Sequence, residues 1–397
     1  MMVFAAKELT SRGLRGDWAA IRARLGRVRS RGTHDHIWLH AASNGELTSA
    51  RPVIEHLVRT GRRVLVTVNT DSALELAQRW DIAGLSALLA PVDLGGPTRR
   101  VVQGWTITAH ITFESDLWPM RVRETPGPVI VLGARLTARS ARGWQRFGAL
   151  AQSVLEKVTY LSAQDHQSLD RFASLGLKPA AQGPVFDLKA LYTPPGDRPD
   201  ARLLRNFDRP DTWCAASTHP GEDEIVLDAH LKALQQRPAL KLILAPRHPK
   251  RAPEIAAMIR ARGLTCARRS ARDDPAQARV YLADTLGEMH LWYALSGVTF
   301  VAGSLTDRGG HTPYEPAAFA SAILHGPDIG NFRAAYQRLE NANAAICVGE
   351  ANALAHALTA LASAKTQQVL ADQARVALRQ DTDFEALMLD VMQALEP

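Results

Sequence analysis

Short apolar runs recur along the chain, separated by stretches whose apolar positions repeat at helical spacing. Ile37-Trp38-Leu39-His40-Ala41 reads as a buried strand, Leu47 to Leu57 as a helix, and Val64 to Val68 as the next strand. Asp71 is placed to cap the helix after it. Ile107 to Thr112 and Val129 to Leu132 read as further strands, and Tyr160-Leu161-Ser162 as the last of this group. Strands alternating with helices predict a parallel, doubly wound sheet.

The texture then changes. Lys178-Pro179, Gly183-Pro184 and Thr193-Pro194-Pro195-Gly196-Asp197 interrupt both periods, which marks a domain boundary. A second alternation begins at Trp213 to Ala216. It continues through Leu242 to Ala245, Val280 to Leu282, Val298 to Val301, Ile323-Leu324 and Ala345 to Cys347. The predicted organisation is a basic segment over 1–36, a Rossmann-like domain over 37–180 and a linker over 181–200. A second Rossmann-like domain over 201–380 and a terminal helical segment over 381–397 follow. The fold class is α/β throughout.

Composition narrows the function classes. A chain of 397 residues is long enough for two domains. It holds no uncharged apolar run long enough to span a bilayer. The opening MMVFAAKELTSRG, broken by Lys7 and Glu8, is too short in apolar residues for a secretory signal. Cys214, Cys266 and Cys347 lie far apart, which fits a reducing cytosol and no metal-ligand spacing. The net charge of +7 is concentrated at the start. Lys7, Arg12, Arg15, Arg22, Arg24, Arg27, Arg29 and Arg31 face only Glu8 and Asp17, with Trp18, Ile21 and Leu25 at helical spacing among them. Such a segment is either a solvated helix or an element for an anionic membrane surface. No nucleic-acid module is recognisable. His34, His36 and His40 alternate without partnered cysteines, so no metal is expected.

The densest chemistry lies between Asp284 and Pro316. Asp284-Thr285-Leu286-Gly287-Glu288 reads as a helix entry with an acid in the first turn. Beyond Val301 come Gly303-Ser304, Arg308-Gly309-Gly310-His311 and Glu315-Pro316. Glycine lets backbone N–H groups approach an anion, so two phosphate-friendly loops are expected at the ends of parallel strands. Earlier segments add His40 to Glu46, Glu114-Ser115-Asp116-Leu117-Trp118-Pro119, Ala134-Arg135-Leu136, Ala216-Ser217-Thr218-His219, Pro246-Arg247-His248-Pro249 and Asn331-Phe332-Arg333. In order and spacing, over about residues 37 to 360, this set resembles the 3-deoxy-D-manno-octulosonic acid (Kdo) transferases of the lipopolysaccharide inner core.

The resemblance implies a glycosyltransferase B architecture with the site in an interdomain cleft, and a terminal helix that packs on the first domain. It implies CMP-Kdo as donor substrate, with no cofactor and no divalent ion, and a lipid A precursor as acceptor. It also implies work at the cytoplasmic face of the inner membrane. Glu46 would be the general base, within the loop Ser43-Asn44-Gly45. Its place at a helix start also suits plain favouring of the helix dipole. Glu114 and Arg135 would belong to the acceptor side. Donor contacts would come from Ser217, Thr218, Arg247, His248, Thr285, Leu286, Gly287, Glu288, Gly303, Ser304, His311 and Glu315. Arginine's planar fork suits the donor's phosphate and carboxylate. The chain departs from the family pattern at Asn44, Asp116 and Thr312. These departures leave open a paralogue with another acceptor. A sugar-nucleotide epimerase of similar fold and a non-catalytic relative are the remaining alternatives.

Overall fold

The apolar runs become strands because they lie covered on both faces, where Val, Ile and Leu pack well and every backbone group finds a ladder partner. The computed structural model describes residues 9–10, 12, 16–28, 30, 34–114, 117–379 and 383–396. Lys7, Arg15, Arg29 and Arg31 of the basic segment, and Ser115 and Asp116, lie outside the described residues. Two compact units result, one of 1–191 with 380–397, the other of 192–379.

In the first unit, β1 (His36–His40), β2 (Val64–Val68), β3 (Leu85–Leu89), β4 (Ile107–Phe113), β5 (Val129–Ala134) and β6 (Val158–Ala163) form one sheet. Its order is β3-β2-β1-β4-β5-β6, and the pairings are parallel. The strand order reverses between β1 and β4, and ligands of open α/β sheets bind outside the strand ends at such a point. The helices Asn44–Arg59 and Asp71–Arg79 and the terminal helix Phe384–Leu395 share one apolar core on this sheet. Leu387, Met388, Val391 and Leu395 of the terminal helix are buried in it, and Tyr160 Oη donates to Asp390 at 3.1 Å.

The second unit holds β7 (Thr212–Thr218), β8 (Lys241–Pro246), β9 (Cys266–Arg268), β10 (Val280–Leu282), β11 (Val298–Val301), β12 (Ala322–His325) and β13 (Ile346–Cys347). The order is β13-β12-β11-β7-β8-β10-β9, again with parallel pairings. Here the reversal falls between β7 and β11.

Several local expectations change. Strands β3 and β9 escape the apolar-run criterion: β3 is only half-buried over most of its length, and β9 is three residues long. Thr70, not Asp71, caps the second helix, accepting from Ala73 N–H at 3.2 Å. Asp71 instead receives Arg12, whose Nη1 donates to its Oδ1 at 3.0 Å. The first-turn acid expected at Glu288 is not there, because the helix starts at Met289. The basic segment does not turn all its charge outward. Arg12 and Arg24 are buried, and Arg24 donates to the carbonyls of Ala90 and Asn69 at 2.9 and 2.7 Å. Trp18 is 67% exposed, and Arg22 and Arg27 face solvent.

Candidate functional site

Glu46 and Glu114 follow β1 and β4, on either side of the first sheet's reversal. Both line one small depression, together with Gln164, Asp187 and Lys189. Ser43 is the N-cap of the helix Asn44–Arg59, its Oγ accepting from Glu46 N–H at 3.3 Å. The Glu46 carboxylate reaches back in turn: Ala42 N–H donates to Oε2 at 2.8 Å and Ser43 Oγ to Oε1 at 3.2 Å. This reciprocal cap fixes the carboxylate at the strand end. The helix-end role and a position for chemistry therefore coexist in one side chain. Asn44 does not engage Glu46. Its Oδ1 accepts from Ser72 Oγ at 3.1 Å, tying the loop to the next helix. Gly45 lies in the exposed first turn of that helix.

Glu114 has φ 52, an uncommon left-handed conformation for a residue with a side chain. Its N–H donates to Leu132 O at 3.1 Å and its carbonyl accepts from Arg135 N–H at 3.3 Å, so the loops after β4 and β5 are stitched together. Lys189 forms an ion pair with the Glu114 carboxylate. Asp187 Oδ1 accepts from Lys189 N–H at 3.1 Å. Lys189 and Asp187 fall in the segment read as linker. The signal was present: Phe186 and Leu188 are apolar within a Pro/Gly-rich stretch, and both are buried in the first core.

In the second unit the predicted donor residues form two groups. Ser217 and Thr218 end β7 and His219 follows it, Arg247 and His248 follow β8, and Gly303, Ser304 and His311 follow β11. Ser217 sits at an irregularity in the β7–β8 register with φ 62. Thr218 is fully buried. His219 Nε2 and His311 Nε2 are 3.0 Å apart, with ring planes at 10°. His248 stands edge-on to His219, centroids 6.0 Å apart. The Arg247 guanidinium is exposed and makes no hydrogen bond or ion pair among the described residues. Burial, and then Arg247 and His219, push His311 down to about 4. Burial, with Arg308, His248 and Arg247 acting against Glu222, also lowers His219.

The glycine loops are not the anion holes that their composition suggests. The buried Glu222 carboxylate already accepts from Gly303, Ser304 and Leu305 N–H at 2.8, 3.0 and 3.0 Å, and from His219 N–H at 3.0 Å. Ser304 is wholly buried, its hydroxyl donating to Val301 O and accepting from Gly326 N–H. Asp328 Oδ2 does the same for Arg308 and Gly309 N–H, at 2.9 and 2.6 Å. Asn331 Nδ2 donates to the Arg308 and Gly310 carbonyls, and Tyr336 Oη to His311 O. A Cβ on Gly309 would stand 2.6 Å from Asn331, so glycine permits this clamp. The charge left facing outward is on side chains. Glu222 and Asp328 went unrecognised as the groups that fill these loops.

The second group lines a cavity of about 600 Å³ beside β9 and β10, with Thr285, Leu286, Glu288, Arg202, Arg269 and Tyr281 in its wall. Gly287, in the same loop, has φ 83. Burial acts to raise Glu288, but bonds from Arg269 and Thr285 outweigh it and hold it below its ordinary value. Glu315 lies in the first turn of the short helix Tyr314–Ala318. After burial, its charge is the next cause that pushes Tyr192 and Tyr293 up. Among the described residues no cluster has the ligands for a metal ion, and no helix is long and apolar enough to cross a membrane.

A family model described as 3-deoxy-D-manno-octulosonic-acid transferase (kdotransferase) matches residues 19–191. The 3-deoxy-D-manno-octulosonic acid transferase of Haemophilus influenzae is 33% identical over 340 residues, covering 83% of this chain and 79% of its own. That of Bordetella pertussis is 31% identical over 389 residues, covering 91% and 88%. Among solved structures, a UDP-GlcNAc 2-epimerase from Neisseria meningitidis aligns over 91% of this chain and 100% of its own, with a TM-score of 0.61 at 11% identity. That last likeness carries the fold alone.

Proposed function

Because this chain belongs to the Kdo transferase family, and is thereby a glycosyltransferase, we propose that it moves Kdo from CMP-Kdo to a lipid A precursor with inversion. Glu46 takes the proton of the attacking hydroxyl as the new bond forms. The observation that carries this reading is the pairing of Glu46 and Glu114 in one depression at the first sheet's reversal. The reciprocal cap holds Glu46 in place, and Lys189 with Glu114 offers a charged wall for a polar acceptor.

The donor's anionic groups go to Arg247, Arg308, His219 and His248, because the loop amides are taken by Glu222 and Asp328. The cytidine then lies toward the cavity beside β10, next to β8 in the sheet. Arginine and imidazole replace a metal ion at the leaving phosphate. Activity should therefore survive excess EDTA, and loss restored by magnesium would overturn that part. The exposed Trp18 with Arg22 and Arg27 supports contact with the anionic cytoplasmic face of the inner membrane.

Glu46→Gln tests the base. It keeps an oxygen for the Ala42 N–H and removes basicity. With CMP-Kdo and lipid A precursor, CMP release should fall about 10²- to 10⁴-fold, with calorimetric CMP affinity nearly kept. Near-normal turnover would end the assignment. Release of CMP with a different acceptor only would favour a paralogue, a reading to which the Asn44–Ser72 bond in the Glu46 loop lends weight.

A further inference from the structure

The histidines at the second sheet's reversal do more than complement charge. His219 follows β7 and His311 follows β11, and their Nε2 atoms meet at 3.0 Å. A hydrogen bond between two imidazoles fixes their protonation. One ring donates its Nε2–H, and the other accepts on its Nε2 lone pair and so carries its proton on Nδ1. The donating ring keeps a free Nδ1. The pair can therefore take up one further proton there without breaking the ring-to-ring bond, and no second one. Gly303 makes the contact possible. A Cβ at that position would stand 3.0 Å from His311 Cδ2 and 3.2 Å from its Nε2, and the backbone there has φ 72, so any other residue would crowd the His311 ring at the contact.

The surroundings set when that proton binds. From the β7 loop the pair faces Glu222, whose carboxylate is committed to four amides. From the β8 loop come Arg247 and His248, and from the β11 loop Arg308. Three cationic or proton-accepting neighbours and partial burial keep the empty pair neutral near pH 7. A phosphate bound beside these groups would reverse the balance.

We propose that His219 is the donating ring, that its Nδ1 takes up one proton when a nucleoside monophosphate sugar binds, and that His219 gives this proton to the departing phosphate. This rests on the donor reading given above. The bond between the anomeric carbon and the phosphate oxygen breaks, and its electron pair goes to that oxygen. The acceptor's hydroxyl oxygen bonds to the anomeric carbon and loses its proton to Glu46. The proton on His219 passes to the phosphate, and the pair is neutral again. His311 is a positioning residue, holding the tautomer and orientation of His219.

The test is calorimetric titration of the full chain with CMP at about pH 7.5, in two buffers of different ionisation heat. The expected result is uptake of about one proton per CMP bound, and none with cytidine. His219→Gln, checked for its fold by circular dichroism, should still bind CMP but lose the uptake. His311→Gln should reduce it. In the transfer reaction, the wild-type rate should fall as pH rises and the proton leaves the pair. The His219→Gln rate should be about 10²-fold lower and flat over that limb. CMP binding without uptake, or with the same uptake in both variants, would overturn the relay alone. Absence of CMP binding would overturn the donor reading and the relay with it.

Discussion

At the residue scale, the lesson is what fills a glycine loop. Glycine and a strand end do make clustered N–H groups, and the sequence reveals that much. Buried N–H groups cannot wait for a ligand, however, and here acids from elsewhere in the chain satisfy them. Glu222 lies 81 to 83 positions from the amides it binds at Gly303, Ser304 and Leu305. No local pattern discloses such a pairing. Glu222→Gln replaces one carboxylate oxygen with an NH₂ that faces N–H donors. It should cost about 2–4 kcal/mol, since bonds to a buried charge are lost and the donors stay buried. Urea unfolding measures it, and an unchanged midpoint would mean that the loop re-forms its bonds elsewhere. Glu114 and Ser217 show the opposite case. Both are candidate site residues on motif alone, and both adopt left-handed backbone, which often marks functional positions.

At the element scale, central strands were the most legible features. β1, β2, β4, β5, β7, β8 and β11 are almost wholly buried, so apolar residues dominate them. Exposure at the edge of the first sheet hid β3. Helix starts were less legible, because capping turns on side-chain geometry: Thr70 caps where Asp71 was expected, and Glu288 turns to Arg269. The terminal helix Phe384–Leu395 belongs to the first unit although it follows the second in sequence. Its apolar face closes the core over β6 and the helix Asn44–Arg59. Met388→Ala should therefore destabilise the first unit by about 2–5 kcal/mol through the cavity it leaves. Hydrogen exchange would find faster opening in β1 and β2 while the second unit's strands keep their protection. Uniform loss across both units would contradict this placement.

At the scale of the whole molecule, two parallel sheets were predictable, and their strand orders were not, since crossovers leave no mark on local periodicity. Those orders put the candidate chemistry where the strand order reverses: Glu46 and Glu114 in one sheet, His219 and His311 in the other. They also bury histidines that the proposed chemistry does not use. His110 on β4 and His230 in the helix Glu222–Leu234 are fully buried, and burial, as the largest cause, lowers each to about 3. In the unfolded chain an imidazole titrates at about 6.5. The folded values are lower, so the stabilisation is complete above about pH 6.5 and is lost as pH falls below it. The slope is about 1.4 kcal/mol per pH unit for each group, because only the unfolded state takes the proton. Glu124, Asp284 and Glu288, held low by their partners, add to the acid loss, whereas Asp93 and Asp223, raised by burial, oppose it. His230→Gln keeps an acceptor for the Trp213 indole N–H, which bonds His230 Nδ1 at 3.2 Å, and removes the titration. Between pH 7 and 5, the second unit should lose about 2 kcal/mol less stability in this variant than in the wild type. Urea midpoints at the two pH values measure the difference. Parallel losses would show that His230 gains solvent before it gains a proton, and that the acid sensitivity of this unit lies with its carboxylates.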